Sequence, residues 1–206
     1  MKTISRTLRM LAATALSATV LLSQAVASPI VSVSPSDQTI AVGGTATVDI
    51  IVSGLTEAVG GFQFLLSFNG VILEGSAFTN DPDSKMGAVP LDLSGGFNGA
   101  GGSPLDVFFV ADMNEDEASL SASEGASFRL ATIDFKGLLN GLSAVTLSDV
   151  FLSLSDGVTT MQGVEVQNGQ ICVGGNCQLV PESAALLLLG GALGGLAIFR
   201  RRRYSA

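Results

Sequence analysis

Thr45-Ala46-Thr47-Val48-Asp49-Ile50-Ile51-Val52-Ser53 and, a few residues later, Gly61-Phe62-Gln63-Phe64-Leu65-Leu66-Ser67-Phe68-Asn69 decide the fold. In the first, Ala46, Val48, Ile50 and Val52 recur at every second position. In the second, Phe62, Phe64, Leu66 and Phe68 do the same. Successive side chains of a strand point to opposite faces, so a period of two describes strands with one face in a core. Outward from this pair, further strand candidates are Ile30 to Ser34, Val71 to Leu73, Leu105 to Ala111, Phe128 to Phe135, Val145 to Leu154 and Val164 to Val173. Within Phe128 to Phe135 the alternation slips between Leu130 and Ile133, which suits a bulge.

Turn chemistry separates the candidates: Gly43-Gly44, Gly60-Gly61, Asn69-Gly70, Asp156-Gly157 and Asn168-Gly169. The spans 80–90 and 94–104, rich in Gly, Ser, Asp and Pro, read as loops. The body shows no amphipathic helix. Short strands with glycine-rich turns predict an all-β fold, an antiparallel jelly-roll β-sandwich with phenylalanines in its core. At about 145 residues this body is the size of one domain, and its expected span is 28–174.

Both ends differ from the body. Lys2, Arg6 and Arg9 precede an apolar stretch from Met10 to Val26, and Ala25-Val26-Ala27 before Ser28 has the small-x-small form of a cleavage site. Residues 1–27 are therefore read as a signal peptide, with Ala25, Ala27 and Ser28 marking the cut, delivered to the secretion machinery. At the other end, a linker (175–183) leads to sixteen uncharged residues, Ala184 to Phe199, and then Arg200, Arg201, Arg202 and Arg203. As a helix those sixteen rise roughly 24 Å against a hydrocarbon core of about 30 Å. That length just suffices for a transmembrane helix, and the four arginines of the basic tail (200–206) would hold its end in the cytoplasm. The expected path is an inner-membrane intermediate facing the periplasm, then the cell surface or an extracellular matrix.

With those ends removed, Lys85, Arg129 and Lys136 face all eighteen acidic residues between Ser28 and Glu182, a net charge of −15. Such a surface repels nucleic acid, which excludes a nucleic-acid partner. The chain contains no histidine, which removes Ser-His-Asp and Cys-His nucleophiles and imidazole zinc sites. A carboxylate-pair envelope glycosidase remains the third reading. With no tryptophan and only Tyr204 outside the body, sugar-stacking platforms are scarce, and the chain is read as non-enzymatic.

Two clusters carry candidate chemistry. Asp112, Asn114 and Asp116 have the spacing of the first three ligands of a calcium loop, although Glu117 stands where the loop needs glycine and Ser123 where it needs glutamate. Calcium is the one cofactor candidate, held there without an EF-hand. Cys172 and Cys177 enclose Val173-Gly174-Gly175-Asn176. If Gly174-Gly175 forms a two-residue turn, the cysteines face each other at about 4.5–5.5 Å between Cα atoms, short enough for a disulfide. Export into an oxidising compartment agrees.

Val180-Pro181-Glu182, the short apolar segment and the terminal arginines together resemble the PEP-CTERM sorting signal of Gram-negative bacteria. This resemblance implies export, transient retention by the C-terminal helix and processing near Pro181-Glu182 by an exosortase-type enzyme; Ser183 differs from the family's usual second proline. The body resembles a cohesin-type domain. Ala41 to Ser53, Val59 to Leu73, Leu130-Ala131-Thr132-Ile133-Asp134-Phe135-Lys136 and Val164 to Val173 carry that resemblance. It implies a nine-stranded sandwich related to carbohydrate-binding modules, with a dockerin-like protein or an extracellular polysaccharide as partner. A permanently membrane-anchored adhesion or scaffold domain is the alternative reading.

Overall fold

In a computed structural model, residues 28–175 and Cys177 are described. The chain order is β1 (Ile30–Ser34), β2 (Asp37–Ile40), β3 (Thr45–Ser53), β4 (Val59–Ser67), β5 (Leu73–Asn80), β6 (Leu91–Asp92), β7 (Gly96–Phe97), β8 (Leu105–Val110), α1 (Glu117–Glu124), β9 (Ser127–Gly137), β10 (Gly141–Leu154), β11 (Glu165–Gln167) and β12 (Gly169–Val173). One sheet runs β11-β1-β3-β9-β5. The other runs β2-β12-β10-β4-β8-β6, with β7 also on β8. The fold is all-β in class, a sandwich of these two sheets.

The alternating residues fill the space between the sheets. Val48, Ile50, Phe62, Phe64, Leu66, Leu130, Ile133 and Phe135 are buried. Phe68 meets Phe135 edge-on at 5.0 Å between centroids, and Phe62 lies 5.4 Å from Phe109, geometries that aromatic rings prefer. In β9 the register moves from Ile50↔Ala131 to Ile51↔Arg129. Leu130 is the extra residue, so the alternation slip at Leu130 is a bulge.

The first and last stretches each divide between the sheets. Pro35 has no amide hydrogen to offer a ladder, and around it β1 stays in the five-stranded sheet while β2 crosses to the other. The expected single strand Val164 to Val173 divides likewise at Asn168, into β11 and β12. Both divided segments pair in parallel, β1 with β11 and β2 with β12, whereas the remaining pairs are antiparallel.

Other expectations are corrected: Gly60-Gly61, read as a turn, lies inside β4, and the span 94–104, read as a loop, contains β7. Val71 and Ile72 lie in a turn, closed by the amides of Ile72 and Leu73 on the Asn69 carbonyl, and the strand follows them as β5. Its sequence Glu74-Gly75-Ser76 is poor strand material. Gly75 is required because a Cβ there would lie 2.2 Å from the Phe97 ring. The body also holds a helix, α1. The Asp116 carboxylate accepts the Ser119 amide at its start, and Gly125, at φ 64°, ends it. Only Leu120 and Glu124 are buried on it, too few to write a helical period into the sequence. The expected signal peptide, Pro-Glu motif, apolar helix and arginine cluster lie outside the described residues. Among the described residues no helix is long and apolar enough to cross a membrane.

Glu124 fastens α1 to β4. One carboxylate oxygen accepts the Val59 amide at 2.8 Å, and the other is buried without a partner. Burial, with the Asp81 charge adding, pushes its pKa up to about 7, against the opposing Val59 hydrogen bond. The folded state therefore prefers the neutral acid: this stability is full below about pH 4.5 and is lost as pH rises through 7. Glu124→Gln keeps an acceptor and removes the charge. Urea unfolding should find it no more than slightly altered at pH 5 and more stable than the parent at pH 8, by on the order of 3 kcal/mol. A variant less stable at pH 8 would contradict this account of the carboxyl group.

Candidate functional site

Because Phe62, Phe64 and Leu66 point inward, Gly61, Gln63, Leu65 and Ser67 of β4 form the middle of the seven-stranded sheet's outer face. Gln63 stands opposite Phe151 of β10 on one side and Phe108 of β8 on the other. Neighbouring strands are about 4.8 Å apart, so the two rings flank Gln63 across roughly 10 Å. The next row runs Ser153, Gly61, Val110 and Leu91. Together Gly61, Gln63, Phe108, Val110, Phe151, Ser153 and Gly157 line a groove of about 310 Å³. Gly61 is its floor: a Cβ there would sit 3.1 Å from the Ser153 hydroxyl and 3.2 Å from the Phe109 carbonyl.

Phe108 and Phe151 are each 36% exposed, and Leu91 and Leu93 each 51%. Leu93 is held by its amide on the Phe108 carbonyl. The Ser94 hydroxyl accepts the Phe108 amide. Phe151 reaches this face through an irregularity in β10, where the register jumps between Ser148 and Phe151 and Asp149 takes φ 51°. Before it Ser143, Val145 and Leu147 point inward; after it Leu152 does. The inserted residue reverses the parity and turns Phe151 to solvent. The face can exclude water from an apolar partner but holds no arrangement of nucleophile and base.

The Asp112 and Asp116 carboxylates accept local hydrogen bonds, and Asn114 is a donor to Asp112. Asp112 accepts from the amide and side chain of Asn114 and from the Val89 amide, and Asp116 caps α1. The Asn114 amide above all holds Asp112 below the usual carboxylate range, and the Ser119 amide does so for Asp116. Among the described residues no three Asp, Glu, His or Cys side chains are grouped to hold a metal ion; the spacing is that of a turn and a helix cap. Cys172 and Cys177 are joined in a disulfide with Cα atoms 5.6 Å apart. Gly174 and Gly175, at φ 89° and 77°, reverse the chain between them. Ser28 is exposed just before β1. Ala25, Ala27, Val180, Pro181, Glu182 and Arg200 to Arg203 lie outside the described residues.

The reading from sequence placed the phenylalanines in the core and missed this face. A signal existed: Phe108 and Phe109 are adjacent in a strand, so only one of them can point inward.

No family model matches the chain, and no curated protein does. Solved structures do resemble it. The non-cellulosomal cohesin from the hyperthermophilic archaeon Archaeoglobus fulgidus aligns with 77% of this chain and 97% of its own at 17% identity and a TM-score of 0.50. CaCohA2 from Clostridium acetobutylicum aligns over 73% and 94% at 16% identity and a TM-score of 0.54. The third cohesin ScaC of Acetivibrio cellulolyticus, solved in complex with the ScaB dockerin, aligns over 70% and 98% at 15% identity and 0.53. At these identities the similarity is one of fold.

Surface and core phenylalanines should separate cleanly in denaturant. Phe64→Ala should cost about 3–5 kcal/mol, whereas the double variant Phe108→Ala/Phe151→Ala should cost under about 1 kcal/mol in total. Equal losses would place the two exposed rings in the core.

Proposed function

We propose that this chain is an exported, non-enzymatic binding module of cohesin type, which engages a protein partner through the outer face of the seven-stranded sheet. The observation that carries the proposal is the row Phe151–Gln63–Phe108 with Leu91 and Leu93 beside it: aromatic and aliphatic side chains left in water around a glycine-floored groove. Exposed aromatic anchors at the centre of a patch, ringed by polar groups, are the usual composition of a protein interface. The acidic Asp106 and Asp149 stand at the rim, favouring a partner with basic residues at its edge. Similarity to a cohesin solved with a dockerin supports a dockerin-like partner over a polysaccharide, as does the absence of tryptophan from the chain.

Its route is the one the chain ends encode. The module crosses the inner membrane behind residues 1–27 and is held by residues 184–199 with Arg200 to Arg203 inside. It is then cut near Pro181-Glu182 by an exosortase-type enzyme and passes to the surface or an extracellular matrix. Mass spectrometry of the extracellular form should find a C terminus close to Glu182; a form that retains the four arginines would contradict processing.

The binding face is tested by capture from the secreted fraction, with the mature chain as bait. Phe108→Ala/Phe151→Ala should weaken binding by about 2 kcal/mol or more, roughly 30-fold in Kd. Thr47→Ala/Asp134→Ala, on the other sheet, should leave it unchanged. A partner that survives the first pair and is lost with the second would move the site to the five-stranded sheet.

A further inference from the structure

Four apolar side chains left in water gather at the end of the sandwich from which the chain departs. Val42 (51% exposed) lies between β2 and β3, Val71 (64%) between β4 and β5, Leu139 (55%) between β9 and β10, and Leu142 (41%) at the start of β10. Backbone hydrogen bonds knit these turns to one another and to the departing strand: Gly43 to Gly137, Leu138 to Ile72, and Gly174 to Ile40. Leu142 stands opposite Cys172 in the register, beside the disulfide that closes the neck.

Charge is distributed to match. Although residues 28–174 carry seventeen acidic residues, none falls in 38–48, 68–73, 135–148 or 169–175, the segments that build this end. Lys136 is the one charge among them, and Glu74 lies opposite it in the register. At the far end Glu57, Asp83, Glu115, Glu117 and Asp156 concentrate the acid. From Cys177 to Ala184 is seven residues, at most about 25 Å of chain. An apolar tip with no net charge is thus tied close to the start of the uncharged segment.

We propose that this tip, Val42, Val71, Leu139 and Leu142, is a membrane-seating surface. While the tail is in the bilayer, the tip rests in the headgroup layer around the helix. This inference rests on the reading of residues 184–199 as a membrane helix. Exposed apolar turns gain by entering the interfacial layer, while anionic lipid repels the acidic far end; both effects stand the sandwich upright. Phe151 is ten residues along β10 from Gly141, roughly 30 Å, so the groove lies well clear of the membrane and stays open to a partner before processing.

The chain lacks tryptophan, so single tryptophans report depth without background. Val71→Trp, Val158→Trp and Leu189→Trp variants of the uncut chain, residues 28–206, are placed in vesicles of phosphatidylethanolamine and phosphatidylglycerol containing a dibrominated phosphatidylcholine. Val158 is 82% exposed near the groove. The expected result is blue-shifted, strongly quenched emission from Val71→Trp and unquenched emission from Val158→Trp. Unquenched Val71→Trp emission overturns the proposal, including the case of a blue shift without quenching, which would mean a second copy of the chain covers the tip. Leu189→Trp separates the causes: quenched there but not at 71, the tail inserts and the tip does not seat. Quenched at neither, the anchor reading fails as well.

Discussion

The parallel pairing of the chain's first and last strands is the constraint on which the sandwich depends. β1 and β11 pair at the edge of one sheet, β2 and β12 at the edge of the other, and each partner passes between sheets through one short break, at Pro35 or Asn168. The break at Asn168 is itself pinned, since its side chain accepts the Leu147 amide at 2.8 Å. Two segments that cross together close one side of the core with main-chain hydrogen bonds. The core closes only when residues about 130 positions apart have met, and that late closure fixes where both chain ends emerge.

Function follows from where those ends lie. β12 ends beside Gly141 and Ile40, so the neck, its disulfide and the uncharged turns share one end. β10 then runs the length of the sheet, and its irregularity at Asp149 delivers Phe151 to the outer face near the other end. A local disturbance of the alternation thereby converts a would-be core residue into part of an exposed aromatic pair. The groove between Phe108 and Phe151 exists because Gly61 leaves its floor without a side chain.

Much of the sandwich could be read from residues alone, for a physical reason: β1, β3, β4, β8 and most of β9 and β10 have one wet and one dry face, and their composition alternates accordingly. The bulge at Leu130 was legible as a phase slip. β5 was not, because Gly75 and Ser76 serve contacts with Phe97 and the Asp134 carbonyl rather than strand propensity. α1 was not, because its stability comes from the Asp116 cap, Leu120 and the Glu124 bond to Val59. The division of the last strand between sheets is a tertiary choice that period two cannot express. Asp112, Asn114 and Asp116 illustrate the reverse case, in which a ligand-like spacing serves a turn and a helix cap.

The central claim is that a partner is held on the outer face of the seven-stranded sheet, toward the end opposite the neck. Hydrogen exchange of the mature chain, free and saturated with the protein it captures, tests this most directly. The account predicts slowed exchange in residues 61–67, 91–94, 105–110 and 148–153, with the five-stranded sheet unchanged. Protection confined to Thr45–Ser53 and Ser127–Gly137 would contradict it.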